Sequence, residues 1–299
     1  MSQVTFKMKF TLPTDEQLLK LDLLDQDFHS QIACAFNIVY NLHGWKKEDL
    51  HRFIPGVAAE QWKRYGQQSY TKMRPAHIVA IISWLSQVSM PAILRGKKVS
   101  HYWENAPTNS INVIARASLM NLETFDFFVR QTLRYAVISQ TDKTTIISQL
   151  DNSANETSRG YLAPTPLKID DFAEDYYKSS SKALRMFRAN NALTMSDMAR
   201  ALGTSISAYR HLENERKPKK YVDSLLAFRF KNAFKVEDTT TMLTYMEKYP
   251  EFYYARKNQE FREKIMKPLL INKSNLYAEE LSERAKTLLC HQNIQTVRK

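Results

Sequence analysis

Ser207, Arg210, His211 and Asn214 are the hydrogen-bonding side chains of the stretch LTMSDMARALGTSISAYRHLEN, residues 193–214, and their three-residue steps place them along one side of a helix. Hydroxyl, guanidinium and imidazole groups in that spacing suit hydrogen bonding to base edges in a DNA major groove. Ser207 can bond either base type, Arg210 can reach guanine or a phosphate, and His211 can donate to guanine. Ile206 and Ala208 would meet a thymine methyl. Other chemistries lack their residues. The chain has no glycine-rich phosphate loop, no His-Glu-x-x-His and no Gly-x-Ser-x-Gly, and its seven histidines lack metal-ligand spacing. The expectation is therefore no enzyme, no metal and no cofactor. Adjacent carboxylates such as Asp170-Asp171 and Glu279-Glu280 cannot face each other on a helix and read as solvated surface.

The elements that must position those side chains are legible around them. Thr194 stands where an N-cap belongs, with Asp197 three residues on in a capping-box arrangement. Met198, Ala199 and Leu202 share one face, and Gly203 closes that helix with a residue that tolerates positive φ. Ser205 can cap a second helix whose Tyr209 and Leu212 point inward. Two short helices across a sharp turn are the spacing of a DNA-reading helix-turn-helix. In that geometry Thr194, Met195, Ser205 and Asn214 lie near the DNA backbone, and Arg216, Lys217, Lys219 and Lys220 touch phosphates.

Composition agrees. The 299 residues are 43% hydrophobic, enough for proper cores, and 43 lysines and arginines against 31 acids give a formal charge of +12, which favours a polyanionic partner. From Ser205 to Lys235 the bias is steeper, eight basic residues against three acids. Two cysteines, Cys34 and Cys290, without a Cys-x-x-Cys suggest neither a disulfide scaffold nor a zinc site. No apolar run reaches the roughly 18 residues of a membrane span and residues 1–10 lack a signal-peptide core, so a cytoplasmic protein without membrane contact is expected.

Six glycines in the whole chain and scarce alternation predict an all-α fold. Residues 4–12 alternate and are the one candidate for an edge strand or extended arm. Helical spacing runs from residue 16 to 95 and again over about 109–140. The polar, proline-bearing stretch 151–168 reads as a linker between residues 1–150 and 169–299. A terminal helix over about 275–289, with Ala278, Leu281, Ala285 and Leu288 on one face, is expected to pack on its own domain; pairing with a second chain is the alternative.

Residues 188–220 resemble the Cro and phage-repressor type of helix-turn-helix, the xenobiotic-response-element-like family. The pattern is carried by Leu193, Thr194, Met198-Ala199, Gly203 and Leu212-Glu213-Asn214, and the resemblance covers about residues 181–246. It implies a lambda-repressor-like fold and double-stranded DNA as partner. It also implies an ion pair between Arg188 and Glu213. Glu215 departs from the pattern, where the family usually has glycine. The self-cleaving members are cut at Ala-Gly or Cys-Gly, and neither dipeptide occurs here.

A degenerate copy lies in the first half, over about 31–95. Gly44 to Leu50 aligns with Ala192 to Met198, and Gly56 to Trp62 with Gly203 to Tyr209 after one inserted residue, Pro55. Tyr40 and Gly66 replace Arg188 and Glu213 together. Lys46, Lys47, Glu60, Gln61, Lys63 and Arg64 make this copy a candidate second reader; a dimerisation or partner-binding platform is the other reading. The resulting expectation is two helical domains, each built on a lambda-repressor-like helix-turn-helix, plus C-terminal helices, acting as a sequence-specific DNA-binding regulator. One reading helix covers too few base pairs for genomic specificity, so a second reader, in this chain or in a homo-oligomer, is required. An antitoxin-like protein whose main partner is another protein is the alternative.

Overall fold

Thr14 opens the first helix with a reciprocal cap: the Gln17 amide donates to Thr14 Oγ1 at 3.3 Å and the Thr14 amide to Gln17 Oε1 at 3.0 Å. The structure, a computed structural model, describes residues 11–70, 72, 74–94, 105–152, 162–216, 222–236 and 242–297. Among them the chain is all-α. In chain order the helices are α1 (Asp15–His43), α2 (Lys47–Phe53), α3 (Ala59–Tyr65), α4 (Ala76–Ser86), α5 (Met90–Leu94), α6 (Ser110–Leu119) and α7 (Leu122–Tyr135). Then follow α8 (Gln140–Asn152), α9 (Ile169–Asn190), α10 (Met195–Ala201), α11 (Ile206–Leu212), α12 (Ser224–Phe234), α13 (Pro250–Leu270) and α14 (Asn275–Val297). The candidate strand at 4–12 lies almost wholly outside the described residues.

The expected helical stretch 109–140 is two helices, because Asn121 caps a new one: its Oδ1 accepts from the Thr124 amide at 2.7 Å. The expected linker is shorter than its composition suggests. Helix α8 runs into it as far as Asn152, and at its far end Leu167 is buried, with its amide donating to Phe53 O at 2.8 Å.

The halves repeat element by element. Helices α2 and α10 have seven residues each, α3 and α11 seven each, and α4 and α12 eleven each. Left-handed residues fall at matching places: Gly44 with Ala192, Gly56 with Gly203, Gln87 with Lys235. The repeats meet at equivalent residues. Pro75 and Asp223, each directly before the fourth helix of its repeat, form an antiparallel bridge in which the Ala76 amide donates to Val222 O at 2.7 Å and the Ser224 amide to Arg74 O at 2.8 Å. The long first helices span both repeats: besides contacts within its own repeat, α1 packs on α12, and α9 packs on α4.

The main core takes in buried residues on both sides of 151–168, from Phe28 to Ala285. A smaller core of Leu184, Phe187, Leu193, Met198, Leu202, Tyr209, Leu212, Phe230 and Phe234 lies around α10 and α11, closed by Leu21 from α1. The terminal helix packs in the same chain, but on α6 of the first half, where Ala278, Leu281 and Ala285 are buried. The small Ala278 and Ala285 let the helices approach closely around Leu281. The aromatic run 245–254 divides likewise: Tyr249 and Phe252 join Trp84 and Phe172 in the core, whereas Tyr245, Tyr253 and Tyr254 contact one another near the surface.

Buried cations close helix ends. The Arg74 guanidinium, fully buried, donates through Nε to Tyr65 O at 2.9 Å, and the Arg262 guanidinium donates through Nη1 to Ala117 O and to Met120 O at 2.7 Å. Each brings a charged donor to carbonyls at the end of α3 or α6, where the helix dipole is negative; Ala117 O also accepts from the Met120 amide at 3.3 Å.

His77 sits at the junction of the repeats. The Tyr177 hydroxyl donates to Val222 O at 3.1 Å and shares a hydrogen bond with His77 Nδ1 at 2.8 Å. Burial pulls the imidazole from 6.5 down to about 4. An unfolded chain takes up this proton below pH 6.5 and the folded chain only near 4, so stability falls as pH drops through that window, by about 2 kcal/mol at pH 5. Burial shifts His29 and His43 in the same direction. Denaturant midpoints at pH 7 and pH 5 should therefore converge in His77→Gln relative to the unmodified chain. An identical pH slope in the two proteins would contradict this account.

Candidate nucleic-acid interface

Helices α10 and α11 are short, and their ends are fixed by the residues the sequence places there. The Asp197 amide donates to Thr194 Oγ1 at 3.1 Å, while both the amide and the hydroxyl of Thr194 donate to Asp197 Oδ2 at 2.8 Å. These bonds hold the Asp197 carboxyl below its ordinary range. Thr194 is thereby committed to the cap of α10. Gly203, with φ of 62°, turns the chain, and the Thr204 amide donates to Ala199 O at 2.9 Å. Ser205 Oγ accepts from the Ala208 amide at 3.1 Å and starts α11.

Tyr209 and Leu212 are buried beneath α11, with Met198, Ala199 and Leu202 of α10 against them. The opposite side presents Ile206, 46% exposed, together with exposed Ser207, Arg210, His211 and Asn214; Ala208 is half-buried. The structure thus brings the sequence-predicted base-reading residues to one surface.

Arg188 and Glu213 form the pair the resemblance implied. Arg188 donates through Nε and Nη2 to the two carboxylate oxygens at 2.7 and 2.9 Å, and the Tyr209 hydroxyl donates to Glu213 Oε1 at 2.5 Å. The Glu213 side chain is 5% exposed. Burial, then the bond to Glu213, pushes the Tyr209 phenol up, and the carboxylate holds Arg188 charged. Glu215 pairs with Arg185 at 2.7 Å, which anchors the stretch after α11 without the glycine the pattern leads one to expect.

The basic flank is smaller than its sequence count. Arg229 and Lys231 are buried, and Arg229 is gripped by Asp22 and Asp25 of α1; Arg200 pairs with Asp15. These acids come from the far end of the chain, and nothing in the sequence linked them to α12. Arg216 and Lys235 are exposed, while Lys217, Lys219 and Lys220 lie outside the described residues.

In the first repeat Asp49 accepts from the Lys46 amide at 3.0 Å, Gly56 has φ of 106°, and Trp62 and Tyr65 are buried beneath α3. Lys46, Glu60, Lys63 and Arg64 are exposed, and Lys47 is half-buried beside Glu48. Gln61 donates to the Tyr70 hydroxyl at 3.1 Å, and Glu60 stands 4.0 Å from Arg64. Where the second repeat has its ion pair, Asn37 Nδ2 donates to Gly66 O at 2.7 Å. A side chain on Gly66 would collide with Asn37, its Cβ falling 2.5 Å from Oδ1. A neutral hydrogen bond thus joins the first helix to the end of the third where the other repeat uses charges.

No protein-family model, curated protein or solved structure matches this chain. Among the described residues, no helix is long and apolar enough to cross a membrane.

Proposed function

We propose that this chain is a cytoplasmic, sequence-specific double-stranded DNA-binding regulator of lambda-repressor-like helix-turn-helix type, with α11 as a reading helix in the major groove. One observation carries the reading: α11 is locked from below by Tyr209, Leu212 and the Arg188–Glu213 pair, while Ile206, Ser207, Arg210 and His211 face solvent. A rigid helix presenting mixed donors and apolar groups is what base readout requires. Arg216, Lys217, Lys219 and Lys220 supply phosphate contacts, which give affinity and salt dependence, not preference.

Selection from a random duplex pool at moderate salt tests the reading: an enriched motif supports it, and an unenriched pool argues against it. Replacing Lys217 and Lys219 together by Ala should weaken all duplexes alike, lowering the salt slope by about two while the selected motif stays the same. A changed motif would reassign those lysines to base contact.

A protein partner held by the apolar residues of 109–140 would find most of them covered, with Phe127 left exposed. Ile111, Val113, Ile114, Phe125, Phe128 and Val129 are buried within the chain, and α14 covers α6.

A further inference from the structure

The contact between the repeats exchanges equivalent atoms. Ala76 corresponds to Ser224 and Arg74 to Val222, so the bond from the Ala76 amide to Val222 O and the bond from the Ser224 amide to Arg74 O are images of each other. Any antiparallel bridge pairs its bonds in this way; here the bridged residues, Pro75 and Asp223, are also equivalent positions of the two repeats, and that coincidence points to a two-fold relation between two halves of one chain with its axis at the bridge. The helix contacts between the repeats obey the same operation, since α1 on α12 maps onto α9 on α4.

Two further features fix how the halves are held. The main core runs through both repeats, and Arg229 of α12 is clamped by Asp22 and Asp25 of α1, so the repeats are not beads on a linker. Helix α3 ends beside the axis, because Arg74, next to the bridge, reaches Tyr65 O at 2.9 Å. Under the same two-fold relation the end of α11 would lie beside the axis as well, and the two helices would run outward from one centre.

We infer that a single chain is a covalent pseudo-dimer that takes a bipartite, non-palindromic DNA duplex, α11 reading one element and α3 the other. This rests on the DNA-binding reading above. Ordinary two-fold repressor dimers match palindromes because their two readers are identical. Here the readers differ. Helix α11 offers Ile206, Ser207, Arg210 and His211, whereas α3 offers Glu60, Lys63 and Arg64, and a glutamate accepts from a cytosine amino group where an arginine donates to guanine. Two unlike elements about one helical turn apart follow.

The test uses the full chain and the duplexes selected from a random pool, with native mass spectrometry for stoichiometry and hydroxyl-radical footprinting for extent. The expected result is one chain per duplex and two unlike protected elements. Lys63→Ala with Arg64→Ala should abolish preference at one element and weaken binding about tenfold. Ser207→Ala with Arg210→Ala should do so at the other. All four side chains are exposed, and circular dichroism verifies that each variant is folded. Two chains on a palindrome, or unchanged selection by the Lys63/Arg64 variant, would overturn the pseudo-dimer and leave DNA binding standing. Failure to bind any duplex would defeat both.

Discussion

Arg188→Leu is expected to cost about 3 kcal/mol of stability in the unit formed by α9, α10 and α11, far more than it weakens any single DNA contact. The argument is electrostatic. Glu213 is nearly inaccessible, and its two oxygens are matched by the two-pronged Arg188 guanidinium with the Tyr209 hydroxyl as third donor. Removing the arginine leaves a carboxylate in low dielectric with one neutral donor, and its remaining choices are to protonate or to open the packing. One-fifth exposure of the Arg188 side chain sets the loss at the lower end of the range for buried pairs. Denaturant unfolding, with hydrogen exchange at residues 209–213, reads it directly. Arg188→Leu combined with Glu213→Leu should recover most of the loss, because two apolar groups of similar volume leave no orphaned charge. An unchanged melting temperature in the single variant would remove the ground for the family resemblance.

Gly203→Ala should cost about 3 kcal/mol and Gly44→Ala about 1, although the two glycines have the same backbone conformation, φ of 62° and 63°. Left-handed backbone alone penalises a β-carbon by about 1–2 kcal/mol. At Gly44 nothing lies within 4 Å of an added Cβ, so that term is all there is. At Gly203 the added atom would fall against the Arg229 guanidinium, 2.6 Å from its Cζ, and that guanidinium cannot yield without leaving Asp22 and Asp25. Burial already pushes the Asp25 carboxyl up, so weakening its cation leaves it poorly compensated. Thermal or denaturant unfolding of the two variants gives the comparison; equal losses would mean that the α1–α12 clamp contributes nothing to the second repeat.

Local features were readable because their causes are local. Thr194 with Asp197, Ser205 before α11, and the turns at Gly44, Gly56 and Gly203 each depend on groups within about four residues, so the type and spacing of neighbours suffice. The exposed face of α11 followed from its 3.6-residue period in the same way. Periodicity could not show which foreign surface covers the buried face. The basic flank was overcounted for that reason: Arg229 looks like a phosphate ligand in sequence and becomes a structural cation only because α1 brings Asp22 and Asp25 to it. The boundary at 151–168 rested on composition, which reports solubility of a segment and not the continuity of the core on either side.

By itself the sequence determined an all-helical chain, the short helix pairs with their turns and the Thr194 and Ser205 caps of the second, and the Arg188–Glu213 partnership suggested by the repressor-like pattern. Only the tertiary structure decided that the first helices reach across to the other repeat, that Pro75 meets Asp223 in an antiparallel bridge, and that the terminal helix closes on α6. The division has a physical reason. Caps and turns are satisfied by neighbours along the chain, whereas burial is non-directional and accepts any apolar face of suitable shape, so the choice among distant partners is made by the packing of the whole chain.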